Sequence, residues 1–171
     1  MHRYIGDKKK ALGVKTMHMY AMYVPLVAGA DIKMEYEDAY NYVVDALSVL
    51  GEEYQNLLRK AKDERWIDVY ETDGKRSGAY SVSVYDCHPY VLLNYQKTTH
   101  DVFTIAHELG HSLHSYFSNR TLPYTKADYT IFVAEVASTV NEVLLHRYIL
   151  KNTSDIAVKK YVLSYFLEML R

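Results

Sequence analysis

Four residues in the stretch "TIAHELGHSLHSYF" are of types that do chemistry: His107, Glu108, His111 and His114. His107 and His111 are four residues apart, so on a helix both imidazoles project from one face and can reach one metal ion. Glu108 is displaced to the side, where it can act on water as a general base without binding the ion. Zinc suits this HExxH spacing, because zinc accepts imidazole ligands and keeps a position open for water.

A catalytic zinc site needs a third protein ligand, which the HExxH spacing does not identify. In one known pattern it is a histidine six residues past the second, but that position is Phe117. The alternative is Glu135, which stands among apolar residues in "IFVAEVAST", where an unpaired carboxylate would carry a large desolvation cost. A glutamate on the solvent-facing side of an amphipathic helix is the other interpretation of Glu135.

Three further residues near these positions have expected supporting roles. Glu142, two turns beyond Glu135, could hydrogen-bond the free ring nitrogen of a ligand histidine, although a solvent-exposed Glu142 is equally consistent with the sequence. His114 is expected to pack or to support the ligands rather than to bind the ion. Gly110 costs helix propensity, and we expect it to let a neighbouring element, or the substrate strand, approach the metal helix closely.

The elements that must position these residues are predicted from hydrophobic periodicity. Helices are predicted over 35–62, 99–118, 127–151 and from about 155 to the chain end, and strands over 67–71, 79–85 and 90–95. Gly51 interrupts the first helix, and Thr99 is the predicted N-cap of the second. The expected fold is α+β and mainly α-helical, with a small β-sheet followed by a zincin-like helical bundle that carries the zinc site.

The composition of the chain limits which kinds of partner it can bind and which cellular compartment it fits. A formal net charge of -1 offers no electrostatic reason for binding nucleic acid or an anionic membrane, and the run Lys8-Lys9-Lys10 is expected to be solvated. The single cysteine, Cys87, excludes an internal disulfide framework and fits a reducing compartment. Neither a signal peptide nor a membrane span is recognisable, so we expect a cytoplasmic protein without nucleic-acid or membrane partners.

The stretches "DVFTIAHELGHSLHSYF" and "FVAEVASTVNE", together with "DERWIDVYETDGKRSGAYS" and "CHPYVLLNYQ", resemble the M3 family of zinc metallopeptidases, in particular its oligoendopeptidase F members. The resemblance implies that His107, His111 and Glu135 are the zinc ligands. It also implies that Glu108 is the catalytic base, in a mostly helical fold with a deep channel that admits short, unstructured peptides as substrates.

The segment "SGAYSVS" resembles the strand at the edge of the family's active-site cleft. This implies that Gly78, Ala79 and Tyr80 bind the substrate. An exposed strand edge can hold an extended peptide by main-chain hydrogen bonds, and small residues such as Gly78 and Ala79 let a backbone come close. Gly78 as a simple turn residue is the other interpretation.

The resemblance further implies tyrosine and histidine donors downstream of the third ligand, which would stabilise the oxyanion. The chain stops at Arg171, and the family members are longer, so we expect residues 1–171 to be one catalytic-core region and a fragment of a larger peptidase. The leading hypothesis is a zinc endopeptidase acting on oligopeptides. The alternatives are a truncated module that binds zinc or peptide without turnover, and a helical interaction protein with an accidental HExxH.

Overall fold

Helices account for most of residues 2–27 and 32–169, the parts of the chain that the structure, a computed structural model, describes. The chain divides into a larger unit, Ile32–Tyr148, and a smaller unit, Met1–Asp31 with Ile149–Arg171. In chain order the α-helices of the described residues are α1 (His2–Ala11), α2 (Tyr36–Ala46), α3 (Glu52–Asp63), α4 (Thr99–Thr121), α5 (Ile131–Asn152) and α6 (Ile156–Met169). The predicted continuation of α6 over residues 170 and 171 lies outside the described residues.

Three short strands form the sheet of the described residues: β1 (Ile67–Asp68), β2 (Tyr80–Val82) and β3 (Tyr90–Leu92). The strand order is β1-β3-β2, with β1 parallel and β2 antiparallel to the central strand β3. Strand β2 is therefore an edge strand. A mainly helical fold with a small sheet confirms the predicted fold class, although each strand is shorter than its prediction.

Helix α4 packs against α2, α3, β2 and β3, and so forms the centre of the larger unit. Its apolar side is buried, with Phe103, Ile105, Leu109 and Leu113 each at most 1% exposed. Ile105, Leu109 and Leu113 recur at the four-residue spacing of one helix face, and Phe103 widens the buried side, which explains why the stretch folds as a buried helix here. Burial of this face holds the HExxH residues on a rigid element.

Helix α4 begins at Thr99, the first residue of the predicted helix, but its N-cap lies one residue earlier than predicted. Thr98 is the N-cap: its hydroxyl accepts the Asp101 backbone N–H at 3.2 Å, and the Asp101 carboxylate accepts the Thr98 backbone N–H at 2.9 Å. This reciprocal capping box satisfies two N–H groups that the helix leaves open. The prediction of Thr99 as the cap is wrong, because the Thr99 hydroxyl instead accepts the backbone N–H of Ile32 at 2.7 Å.

The helix predicted over 35–62 is two helices, α2 and α3, separated by a 3₁₀ turn at Ser48–Leu50 and by Gly51. Gly51 has φ +96°, a conformation that residues with a Cβ rarely adopt. The chain can therefore turn sharply at this position, and the interruption predicted at Gly51 is a complete break.

In the smaller unit, the ammonium group of Lys8 is buried rather than solvated. It pairs with the carboxylate of Glu168 on α6 and donates to the backbone carbonyl of Met22 at 2.6 Å. The Tyr4 hydroxyl donates to the same Glu168 carboxylate. A buried charge is tolerated when it is paired and hydrogen-bonded, so this cluster ties α1 to α6. Among the described residues, no helix combines the length and apolar character that a bilayer crossing needs.

Candidate metal centre

Helices α4 and α5 bring His107, His111 and Glu135 together, with one potential ligand atom from each side chain. The two histidine Nε2 atoms are 3.0 Å apart. The Glu135 Oε2 atom lies 3.6 Å from His107 Nε2 and 3.9 Å from His111 Nε2. The i,i+4 spacing on α4 thus produces the predicted pair, and the third candidate comes from a different helix.

These separations fit a zinc ion. Four ligands at about 2.0–2.2 Å around a tetrahedral ion lie about 3.2–3.6 Å from one another. The three distances of 3.0, 3.6 and 3.9 Å bracket that range. Two imidazoles and one carboxylate also match a catalytic rather than a structural site, because three protein ligands leave a fourth position open.

Glu142 lies behind His107. Its Oε1 atom is 3.3 Å from His107 Nδ1, and its side chain is only 12% exposed. The hydrogen bond to Glu142 is the largest influence on His107 and raises the pKa of its imidazole, against the opposing effect of burial. With Nδ1 engaged by Glu142, His107 presents Nε2 toward His111 and Glu135, as a metal ligand requires.

We expect Glu142→Gln to weaken zinc binding by about 10–100-fold, the range for partners that orient metal ligands. Glutamine keeps an acceptor for His107 but loses the negative charge, so the pKa of His107 should also fall toward its ordinary value. Competition with a fluorescent zinc chelator measures the affinity, and NMR titration of the metal-free chain follows the His107 pKa. The exposed Glu53→Gln is the matched control. Unchanged zinc affinity in Glu142→Gln would contradict the orienting role.

Glu108 is 6% exposed and lies beside β2, where the backbone of Ser81 hydrogen-bonds its carboxylate. Its Oε2 atom is buried and has no hydrogen-bond partner among the described residues. Burial raises the pKa of Glu108, and the neighbouring His107 partly opposes that rise. A buried carboxylate oxygen without a partner is costly, which is typical of a group kept for a ligand or for reaction.

His114 contacts Tyr129 rather than the metal-ligand atoms. Its ring stacks on the Tyr129 ring with centroids 4.0 Å apart and planes 16° apart. Burial lowers the pKa of His114. It is not part of the metal-binding group found among the described residues, so the structure places His114 against the loop that follows α4.

The surroundings of Glu135 differ from the sequence prediction. Its side chain is 47% exposed, and its apolar neighbours Phe132 and Val136 are themselves 80% and 52% exposed. The expectation of a large desolvation cost at Glu135 is therefore wrong for the described structure. Helix α5 instead turns its polar side inward, where Ser138 donates to Glu135 Oε2 at 3.0 Å. Asn141, which sequence reasoning missed, donates to the Ala106 carbonyl of α4 at 3.0 Å.

Gly110 makes the close contact between α4 and α5 possible. A Cβ at this position would stand 2.7 Å from Ser138 Cα and 2.9 Å from the Ala137 carbonyl oxygen, both of them backbone atoms of α5. Backbone atoms cannot move aside as a flexible side chain can, so only glycine allows this separation. The predicted close approach of a neighbouring element is what the structure has, and that element is the helix that carries Glu135.

We expect Gly110→Ala to lower the free energy of unfolding by about 1–3 kcal/mol through overpacking, and to weaken zinc binding because α5 must move away from α4. Gly6→Ala is the matched control, since Gly6 also lies inside a helix but a Cβ added there would meet no atom within 4 Å. Alanine at Gly6 should stabilise the chain by about 0.5–1 kcal/mol. Chemical denaturation and zinc titration provide both readouts. Equal behaviour of the two variants would contradict the steric role of Gly110.

The three predicted substrate-binding residues lie at the start of the edge strand. Gly78 and Ala79 precede β2, and Tyr80 is its first residue. Asn94 donates to the Gly78 carbonyl at 2.8 Å, which holds this segment in place. Gly78 has φ +89°, so a turn conformation that favours glycine accounts for it without any substrate. The structure brings β2 beside Glu108 through Ser81, a residue that the sequence reasoning did not single out.

Comparison with known proteins finds similarity over the whole chain. The profile of peptidase family M3 matches residues 1–170. The chain is 46% identical over 171 residues to the oligopeptidase PepF of Bacillus subtilis, covering 100% of this chain and 26% of that protein. It is 44% identical over 171 residues to an oligoendopeptidase F homolog of Lactococcus lactis, covering 100% of this chain and 28% of the relative.

Solved structures are also similar to the chain over nearly its whole length. A crystal structure from Chlamydophila abortus has 43% sequence identity and a TM-score of 0.87, and the match covers 99% of this chain and 28% of that one. The oligoendopeptidase F structure from Enterococcus faecium has 29% identity and a TM-score of 0.57, covering 99% of this chain and 22% of that one. The chain therefore spans about a quarter of the length of the curated relatives it matches.

Proposed function

The chain belongs to peptidase family M3, and from that premise we propose that it is the metal-binding core of a zinc-dependent peptidase that hydrolyses short oligopeptides. The observation that carries the proposal is the group His107, His111 and Glu135 beside the buried carboxylate of Glu108. Relatives named oligopeptidase and oligoendopeptidase F support the choice of substrate. The chain covers 26% to 28% of the length of those relatives. The activity and the substrates that their names imply are therefore proposed for this chain.

In this proposal, His107 and His111 hold the ion through Nε2 and Glu135 holds it through Oε2, while Glu142 keeps the His107 ring in orientation. Zinc, when bound, would act as a Lewis acid toward the scissile carbonyl and the attacking water. Ser138 supports the third ligand by donating to the same Glu135 oxygen. The site thus depends on both sides of the contact between α4 and α5.

Glu108 is the proposed general base. The backbone of Ser81 hydrogen-bonds its carboxylate, while the buried Oε2 atom has no partner among the described residues and remains available to a water molecule. Glu108 would take a proton from that water and pass it to the leaving amine, as one group acting first as base and then as acid. Burial raises the pKa of Glu108, so its carboxylate is a stronger base than an exposed glutamate, which favours the first of these two transfers.

The edge strand β2 is the proposed holder of the substrate backbone. An extended peptide would add to the free edge beside Gly78, Ala79 and Tyr80 through main-chain hydrogen bonds. The support for this role is the position of β2 at the end of the sheet order and its contact with Glu108 through Ser81. The cytoplasmic location, and the absence of nucleic-acid and membrane partners, stay predictions.

Metal analysis and cleavage assays test the proposal together. We expect one zinc ion per purified chain, its removal by a chelator, and its return when zinc is added. Cleavage of unstructured peptides is measured on this chain, and on a chimera in which the chain replaces the segment it matches in the Bacillus subtilis oligopeptidase. The chimera reports on the site when residues supplied by the rest of a relative are present.

The outcomes separate the hypotheses. Chelator-sensitive cleavage by the chain or by the chimera supports the peptidase. One zinc per chain without cleavage in either protein favours a module that binds zinc or peptide without turnover. A chain that binds no zinc would overturn the zinc peptidase and the zinc-binding module, and would leave the HExxH pattern without a metal function.

A further inference from the structure

A polar cleft of about 580 Å³ opens beside the metal centre, between the end of β2, the second half of α4 and the loop that follows α4. Its volume lies in the range of about 300–1,000 Å³ that is typical of small-ligand sites. We propose that this cleft receives a cationic side chain, lysine or arginine, from a residue of the peptide close to the cleaved bond. The inference rests on the proposed function and assigns it a substrate preference.

The position of the cleft follows from Ser81 and Ser115, which both line it. Ser81 hydrogen-bonds the Glu108 carboxylate through its backbone, and its hydroxyl lies 2.9 Å from the Ser112 hydroxyl on α4. Ser115 is one helical turn beyond His111. Since an extended chain advances about 3.3 Å per residue, a peptide lying along β2 from Glu108 reaches the cleft within roughly two residues.

The cleft offers acceptor oxygens to a ligand. The hydroxyl of Tyr85 donates its only hydrogen to the Leu122 carbonyl at 2.9 Å, so its oxygen remains as an acceptor. Asn119 donates from Nδ2 to the Ser83 hydroxyl at 3.0 Å, which leaves its carbonyl oxygen for a ligand. Ammonium and guanidinium groups have several N–H donors and no acceptor, so they complement such a lining.

The charge of the cleft is opposite to that of a lysine or arginine side chain. Asp128 is the one carboxylate among the described residues that line it, and none of those residues is a lysine or an arginine. The cations nearest in sequence, Arg120 and Lys126, are not lining residues, and Arg120 donates to the Tyr116 hydroxyl at 2.7 Å. A cationic side chain would therefore meet attraction, while an acidic one would be repelled without compensation.

Aromatic rings supply a second means of holding a cation. Tyr85 and Tyr124 both line the cleft, with ring centroids 5.4 Å apart and planes at 78°. Tyrosine faces attract ammonium and guanidinium groups, most strongly where water is partly excluded. The edge-to-face arrangement leaves at least one ring face turned away from its neighbour. The aliphatic part of a lysine or arginine side chain can pack on that face.

Intramolecular contacts hold the part of the cleft that Ser115 and Tyr129 line. The Tyr129 hydroxyl hydrogen-bonds the Ser115 hydroxyl, and the Tyr129 ring stacks on His114. The Tyr129 backbone N–H donates to Asp128 Oδ1 at 2.9 Å, which restrains the orientation of this carboxylate. A preformed wall lowers the ordering cost of binding. This arrangement also gives His114, the histidine left over from the HExxH stretch, a supporting role.

Binding to the zinc-loaded Glu108→Gln chain tests the proposal without cleavage. One short peptide is prepared with arginine, lysine, norleucine or glutamate at each position in turn. We expect arginine or lysine at one position to tighten binding about 5–10-fold over norleucine, the scale of a partly exposed charge-assisted contact. Backbone NMR shifts at Ser83, Asn119 and Asp128 should accompany that binding and locate it in the cleft.

Asp128→Asn is the decisive variant, and Asp73→Asn, an exposed aspartate that is not a lining residue, is its control. Asp128→Asn should remove most of the preference for arginine and lysine over norleucine, whereas Asp73→Asn should leave that preference unchanged. A preference for norleucine or glutamate, equal binding of all four peptides, or a basic preference that survives Asp128→Asn would each overturn the proposal.

The same peptides separate this inference from the proposed function. Zinc content and cleavage of the norleucine peptide by the chain or the chimera test the peptidase alone. Normal cleavage without any basic preference overturns only the cleft assignment. If peptides with arginine or lysine bind in a way that depends on Asp128 but no peptide is cleaved, the result supports the cleft assignment and counts against the peptidase.

Discussion

The Glu108→Gln variant is expected to bind zinc as tightly as the wild type and to lose about 10²–10⁴-fold in kcat/KM for peptide cleavage, the range for a removed general base. Glutamine has nearly the same shape and keeps an oxygen for the hydrogen bond from Ser81, but it cannot take up a proton. The comparison is made in whichever protein, chain or chimera, cleaves peptides. Zinc analysis of the same preparations shows whether the site remains intact.

A second property of Glu108→Gln can be measured on the metal-free chain. Burial raises the pKa of Glu108, so protonation of this carboxyl favours the folded state. In the wild type, this contribution of protonated Glu108 to the free energy of unfolding is fully present at pH values below the pKa of an unfolded glutamate. It is lost as the pH rises through the pKa that Glu108 has in the folded chain. Glutamine carries no charge to desolvate, so the variant should lack this loss and be more stable by about 1 kcal/mol at neutral pH.

Glu53→Gln is the control for both measurements, because Glu53 is exposed on α3 and belongs to the larger unit as Glu108 does. It should leave cleavage, zinc content and the pH dependence of stability unchanged. Retention of more than a tenth of wild-type kcat/KM by Glu108→Gln would show that another group accepts the proton.

The Glu135→Ala variant is expected to lose zinc affinity by roughly 10²–10³-fold while the metal-free chain stays folded. Structural zinc sites bind with about 10–16 kcal/mol, so one ligand of four accounts for roughly 2.5–4 kcal/mol. The Glu135 side chain is 47% exposed, so its removal leaves no buried cavity or charge. Competition titration gives the affinity, and denaturation of the metal-free variant should give a free energy of unfolding within about 0.5 kcal/mol of the wild type.

Val140→Ala is the control on the same helix, since Val140 is 43% exposed and is not a member of the metal-binding group. It should bind zinc normally. If Glu135→Ala bound zinc as tightly as Val140→Ala, the third ligand would have to be another group, and the assignment of Glu135 would fall. Loss of zinc together with unfolding of the metal-free chain would instead give Glu135 a structural role.

Local spacing predicted much of this site, because a helix alone places residues four apart on one face. His107, His111 and the lateral position of Glu108 follow from the helical repeat, and the structure has all three on α4. The mainly helical fold with its small sheet followed from periodicity in the same way. The position of the N-cap was wrong by one residue, since Thr98 and Thr99 have the same chemistry and only the capping box distinguishes them.

Which side of α5 faces α4 could not be predicted from its composition. An apolar run around Glu135 indicated burial there, yet Phe132 is exposed and Ser138 is fully buried. Polar residues turn inward because they are hydrogen-bonded across the contact, as Asn141 is to the Ala106 carbonyl. Periodicity identifies a face, but the neighbour that covers it is a tertiary property.

The sequence by itself determined which residues are the candidate ligand pair and the candidate base, and the helix that carries them, because these depend only on residue types and a repeat of a few residues. Tertiary structure alone decided the distance of Glu135 from the histidines, through the contact of Gly110 with the backbone of Ser138. It also decided that Ser81 meets Glu108 and that Tyr129 meets Ser115. Those meetings join residues far apart in the chain, and their geometry depends on how helices, strands and loops pack.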